Sequence, residues 1–133
     1  MIEEITFNDT ILAIIVFNNF HCEGIKFFTP DSFSQQLGYM NRPKGYIIDP
    51  HLHLPVKRQV FYTNEVLFIK TGKVKVDFYD NDKNFIDSRI LMTGDIILLI
   101  KGGHGFEMLE NSEIIEVKQG PYAQDKDKER FKS

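Results

Sequence analysis

The chain reads as an all-β protein on three observations. Twelve Phe and five Tyr stand among many Ile and Val, residue types that suit a half-buried pleated surface better than a helix. Gly, Asn and Asp interrupt this apolar content at short intervals, as turns between short strands do. Between two such breaks, Val74, Val76 and Phe78 alternate with Lys73, Lys75, Asp77 and Tyr79, the pattern of a strand with one face in a core and the other toward water. Regularly spaced strands of this kind predict a sandwich, jelly roll or closed barrel.

In chain order, residues 11–17 form an apolar run that needs cover on both faces. One short helix is expected next, with Thr29 as N-cap, Pro30 at the first helical position, Asp31 near the positive end and Gly38 after Leu37 as the stop. Further strands are expected at 46–54, 65–70, 73–79, 85–91, 95–100, 104–109 and 113–119. Their separators include Thr71-Gly72, Asp80-Asn81-Asp82-Lys83-Asn84, Thr93-Gly94, Lys101-Gly102-Gly103 and Glu110-Asn111-Ser112, residues that tolerate the backbone angles of tight turns. Val66 and Phe68 lie opposite Leu67 and Ile69, and 96–100 is apolar throughout, so these strands too need an outer cover. A homodimer interface that takes in the 11–17 strand supplies it, and so does an intramolecular lid. Residues 123–133, with Asp-Lys-Asp-Lys-Glu-Arg, read as a solvated tail whose one anchor is Phe131.

A length of 133 residues, 42% hydrophobic and 26% charged, fits one domain spanning 1–133. The formal charge of −3 offers no basic field for nucleic acid or an anionic membrane. The lone Cys22 implies no internal disulfide and a reducing compartment. The apolar runs are too short to span a bilayer, and Met1-Ile2-Glu3-Glu4 lacks the positive region of a signal peptide. A cytoplasmic protein is expected.

The histidines point to chemistry. His51 and His53 are two apart, so on a strand they present imidazoles from one face. Glu65 shares its face with Leu67 and Ile69, which places a carboxylate at the rim of an apolar interior, where a nearby cation removes the penalty of burying it. With His104 the set becomes three imidazoles and a carboxylate, donors for one divalent ion such as Fe, Mn, Ni, Co or Zn. Taken singly, each has a plainer reading: half-exposed histidines next to Pro50, a solvated glutamate at a strand end, a turn histidine beside two glycines. His21, beside Cys22 and Glu23, reads as a surface or packing residue.

Two stretches carry a resemblance. Gly45, five residues, His51-Leu52-His53, then Glu65, six residues and Gly72 resembles the first motif of the cupins. Gly94-Asp95-Ile96-Ile97-Leu98-Leu99 followed by Gly102-Gly103-His104 resembles the second. The resemblance implies a single-domain double-stranded β-helix, or jelly-roll barrel, with its core at about 45–119, the N-terminal strand and short helix in 1–44, and His51, His53, Glu65 and His104 as metal ligands. The sequence departs from the family at the eleven residues between His53 and Glu65, where the family has a short link, so 54–64 must bulge as a loop. It departs again at Ile100, where a proline is usual, at the shortened spacing before His104, and at Met108 in place of asparagine.

Around this constellation, Lys57, Arg58, Gln59 and Tyr62 lie in the 54–64 loop, and a cationic loop over a metal suits an anionic small-molecule substrate. Arg58, Gln36 and Tyr39 are candidates for substrate binding; Tyr62 and Glu107 are candidates for proton transfer, Glu107 only if the glycines bulge its strand. Glu116 and Lys118 share a strand face and read as an exposed cross-strand pair. The resemblance implies a metal-dependent enzyme on a small polar metabolite, a sugar or nucleotide-sugar isomerase or epimerase. An iron-dependent dioxygenase and a non-catalytic binding cupin are the alternatives.

Overall fold

A computed structural model of the protein describes residues 1–124 and 126–132. Its strands are β1 (Ile2–Phe7), β2 (Thr10–Val16), β3 (Gly24–Phe27), β4 (Gly38–Asn41), β5 (Glu65–Thr71), β6 (Lys73–Tyr79), β7 (Phe85–Met92), β8 (Ile96–Leu99), β9 (Gly103–Met108) and β10 (Glu113–Lys118). The all-β reading holds, and among the described residues there is no helix. Among the described residues no helix is long and apolar enough to cross a membrane. The chain divides into two compact units, Met1–Phe20 with Tyr62–Ser133, and His21–Phe61. Of the expected tail, 125 and 133 lie outside the described residues.

The first unit is built from two antiparallel sheets, not a closed barrel: a five-stranded sheet in the order β1-β2-β8-β5-β10 and a three-stranded sheet in the order β7-β6-β9. One apolar layer joins them. Ala13 and Ile15 of β2, Leu67 and Ile69 of β5, and Ile97 and Leu99 of β8 form a single buried cluster with Val74, Val76 and Phe78 of β6 and Leu91 of β7. Alternation along β6 sends its apolar residues into this layer, as its sequence pattern requires. β2 lies inside the wide sheet, and Leu12, Ala13, Ile14, Ile15 and Val16 are all buried, so the expected cover on both faces is present.

The turns are tied to one another. Gly72, between β5 and β6, has φ +110, and an added Cβ there would meet Ser112 Oγ and the Asn111 carbonyl oxygen, so only glycine fits. Its N–H donates to Thr93 Oγ1 at 3.0 Å, linking it to the β7–β8 turn. In that turn the buried Asp95 carboxylate accepts the Asn18 N–H and the Met92 N–H, each at 2.7 Å. The 80–84 turn closes on Asp80, whose Oδ1 accepts the N–H groups of Asp82 and Asn84 at 2.9 Å. In the tail, the Phe131 ring meets Tyr79 edge to face at 5.1 Å, the anchoring expected of it.

The second unit differs from expectation. Residues 29–37 are not a helix but the long loop of the β3–β4 hairpin, closed by the Phe28 N–H donating to Leu37 O at 2.9 Å. Gln36 Nε2 donates to Pro30 O and to Phe33 O, both at 2.9 Å, while its Oε1 accepts from Thr29 Oγ1 at 2.8 Å. The side chain thus takes carbonyl groups that helical amides would otherwise reach. Gly38 opens β4 instead of stopping a helix; its missing side chain lets the Phe27 ring pack on the backbone. The strand expected at 46–54 is absent as well. Those residues have no ladder partner and are all exposed, and Pro50 removes an N–H from the middle of the run. The strands therefore come from 2–16 and 65–118 in the first unit and from the β3–β4 pair in the second, not from a continuous core at 45–119.

Phe78→Ala in the core is expected to lower unfolding stability by about 3–5 kcal/mol, and Asp95→Ala, which leaves two amides without their carboxylate, by about 3 kcal/mol. Urea midpoints of the two variants against wild type measure both.

Candidate functional site

Two strands from different sheets bring a carboxylate and an imidazole together. Glu65 opens β5 on the face that Leu67 and Ile69 turn into the core. His104 lies on β9 directly opposite Phe78 of β6, on the inner face of the narrow sheet. The Gly102-Gly103 pair lets the chain enter β9 this closely: a Cβ on Gly102 would strike the Tyr79 carbonyl oxygen, and one on Gly103 would press the Phe131 ring at 3.2 Å. His104 Nε2 stands 3.7 Å from Glu65 Oε1, with side chains 27% and 19% exposed.

A second carboxylate joins them. On β10, Glu116 pairs with Leu67 and Lys118 with Glu65, so both β10 side chains lie on the same face of the sheet as Glu65, exposed at its edge. The His104 imidazole holds the Glu65 carboxyl down to about 2; burial opposes this, and Glu116 and Lys118 reinforce it. The Glu65 carboxylate in turn pushes the neighbouring Glu116 carboxyl above its ordinary value, and burial adds to the effect. As expected, Glu116 and Lys118 are exposed and share one strand face; their nearness to Glu65 is what the sequence does not show. The signal that finds Glu116 is its parity with Ile114, which packs on the core two residues earlier.

The other margin of the two sheets carries a different bridge. Arg89 of β7 donates Nε to Glu3 Oε1 at 2.9 Å and Nη2 to Glu3 Oε2 at 2.8 Å, while its Nη1 lies 2.8 Å from Asp87 Oδ2. Glu3 and Asp87 together raise the guanidinium pKa. This fork joins β1 of the wide sheet to β7 of the narrow one, and its donors and acceptors are engaged with each other. It is structural in character; the Glu65–His104 pair, with Glu116 and Lys118 beside it, has no such fork.

The remaining candidates are placed as follows. In the second unit, His51 and His53 are neighbours, their rings 5.3 Å apart and edge to face, with His51 Nδ1 2.9 Å from Asp49 O. The i, i+2 spacing thus brings the two imidazoles together even without a strand. Arg58 and Tyr62 are exposed. Gln36 is occupied within its hairpin loop, and Tyr39 lies on β4 opposite Lys26. Glu107 pairs with Lys75, and the β6–β9 register runs unbroken from Gly103 to Met108. No bulge turns Glu107 inward, so it stays on the face away from His104.

The four expected ligands thus occur as two pairs, and among the described residues no group of three or more His, Cys, Asp or Glu side chains is gathered tightly enough to hold a metal ion. The Glu65–His104 pair has the chemistry for one: a nitrogen and an oxygen on bonds of about 2.1 Å to a tetrahedral ion stand roughly 3.4 Å apart, close to the observed 3.7 Å. Two surface hollows of about 330 and 270 Å³ share Asn18 and Met92 and include neither Glu65 nor His104. Known protein families, curated proteins and solved structures give no match to the chain.

Because the Glu65 carboxyl is depressed from 4.5 to about 2, the stability it contributes is present above its unfolded value and is lost as pH falls through its folded one. In metal-free protein, Glu65→Gln is expected to flatten the loss of stability with acid across that window, measured as urea midpoints from pH 5 down to pH 2.

Proposed function

We propose that this chain is a cupin-type metal-binding protein, with Glu65 and His104 as donors to one divalent ion and His51 and His53 as the further imidazoles. The observation that carries the reading is the approach of His104 Nε2 to Glu65 Oε1 at 3.7 Å, from strands of two different sheets. The second carboxylate, Glu116, supports it: it stands beside Glu65 on the same face of the sheet and offers a further oxygen donor.

The substrate we assign to such a site is a small polar metabolite with an anionic group, of the sugar or nucleotide-sugar kind. When bound, the ion supplies Lewis-acid polarisation of substrate oxygens. Lys57 and Arg58, both exposed, supply positive charge that draws an anion toward the loop. Of the carboxylates, Glu116 is the one suited to accept a proton, since it adjoins Glu65 and its carboxyl is held above its ordinary value. Glu107 is not suited, because it lies on the opposite face of β9. Proton transfer at a carbon next to a polarised oxygen is the step that isomerases and epimerases share, and it is the reaction class proposed here.

Elemental analysis of protein purified without added metal tests the reading. Near-stoichiometric transition metal is expected in the wild type and at least a tenfold lower content in Glu65→Ala and in His104→Ala, because each removes a direct donor. Since ligation needs neutral imidazole, occupancy is expected to fall as pH drops toward ~6 and below. A metal-free wild type, or full occupancy in both variants, contradicts the proposal.

A further inference from the structure

We infer that residues 127–131 form a strap across the end of the sandwich, closing over the Glu65–His104 pair, and that ions and small molecules reach the pair when the strap lifts at Phe131. What passes the strap rests on the metal-binding reading above; the closure itself does not. All the residues involved belong to the first unit. On the wide-sheet side, Thr63, two residues before Glu65, donates its hydroxyl to Asp127 Oδ2 at 2.7 Å. On the narrow-sheet side, the Phe131 ring meets Tyr79 edge to face at 5.1 Å and packs on Gly103, the residue before His104. Lys83, in the β6–β7 turn, holds Glu129 Oε1 at 2.7 Å and lies 5.8 Å from the centre of the Phe131 ring.

The span fits a crossing between the sheets. From Asp127 to Phe131 is four residues, about 13 Å of extended chain, and packed sheets stand ~10 Å apart. The ladders place the crossing beside the pair. Lys118 is opposite Glu65 and His104 opposite Phe78; the next row outward holds Gly103 opposite Tyr79 on one sheet, and on the other the Gln119 N–H donating to Asn64 O. Thr63 and Gly103, where the strap is fastened, therefore flank the pair from its two sheets. The middle of the strap faces the same rows: the Lys128 ammonium acts on the Glu116 carboxyl, and the Lys118 ammonium on that of Asp127.

The fastening is light. The Lys83 and Glu129 side chains are 51% and 73% exposed, and ion pairs so open to water contribute little. Between 127 and 132 the one apolar residue is Phe131, so closure depends on a single ring seated on Tyr79 and Gly103. A segment held by so few buried contacts opens far more readily than the core, and its charged residues are at ease in water once it does.

Residue-resolved modification of the histidines by diethyl pyrocarbonate, in protein stripped of metal by a chelator, tests the closure. His104 is expected to react about tenfold faster in Phe131→Ala, which loses the aromatic seat, and about twofold faster in Glu129→Lys, which sets two cations together. His21, His51 and His53, in the second unit, are the controls and keep their wild-type rates. An unchanged His104 rate in Phe131→Ala overturns the inference. If that variant speeds all four histidines, its fold has loosened, and Glu129→Lys decides: the change is at an exposed side chain outside the core, and no gain at His104 there overturns the inference. In metal-loaded protein a chelator is expected to strip Phe131→Ala about tenfold faster than wild type; equal rates overturn the strap as the entry route. A wild type that binds no metal sinks the metal-binding reading, and the modification rates alone then decide the closure.

Discussion

A carboxylate on the inner face of a β-sandwich must find a cation, and in this protein that requirement falls at the margins of two sheets of unequal width. The centre is satisfied by apolar packing alone, through Ile97, Leu99, Leu67 and Ile69 against Val74, Val76 and Phe78. At one margin Glu3 meets Arg89 in a bidentate fork that Asp87 completes. At the other, Glu65 meets an imidazole, with Glu116 and Lys118 beside it. A guanidinium is permanently charged and fixes its partner; an imidazole is a metal ligand when neutral. The two margins thus differ in kind, a closed bidentate fork at one and a carboxylate–imidazole pair at the other.

Much of the first unit was legible because its strands obey a period of two. The bounds expected for 73–79 are those of β6, and the apolar run at 11–17 is β2 with both faces buried. The turn residues at Gly72 and Asp80 sit where backbone angles and side-chain acceptors need them. β1 went unrecognised because Ile2-Glu3-Glu4-Ile5 does not alternate; its charged Glu3 faces inward to meet Arg89, a pairing eighty-six residues away that no local pattern reveals.

The second unit was misread where side chains compete with backbone geometry. Thr29, Pro30 and Asp31 have the look of a helix start, yet Gln36 reaches back to the carbonyls of Pro30 and Phe33 and folds the segment as a hairpin loop. The segment at 46–54 has strand-like composition but no partner, and a strand is defined by its ladder. Of the four candidate ligands, spacing foretold the adjacency of His51 and His53, and parity foretold Glu65 facing the interior. The adjacency of Glu116 to Glu65 was not legible because parity on β10 gains meaning only once β10 is known to lie beside β5.

The central claim is that Glu65 and His104 converge to share a cation instead of merely pairing with each other. A crystal of the metal-loaded protein, with data collected on both sides of the metal's absorption edge, tests it most directly. The account predicts one anomalous-difference peak between His104 Nε2 and Glu65 Oε1, at bonding distance from both. A peak elsewhere, or none with the two side chains left in direct contact, contradicts it.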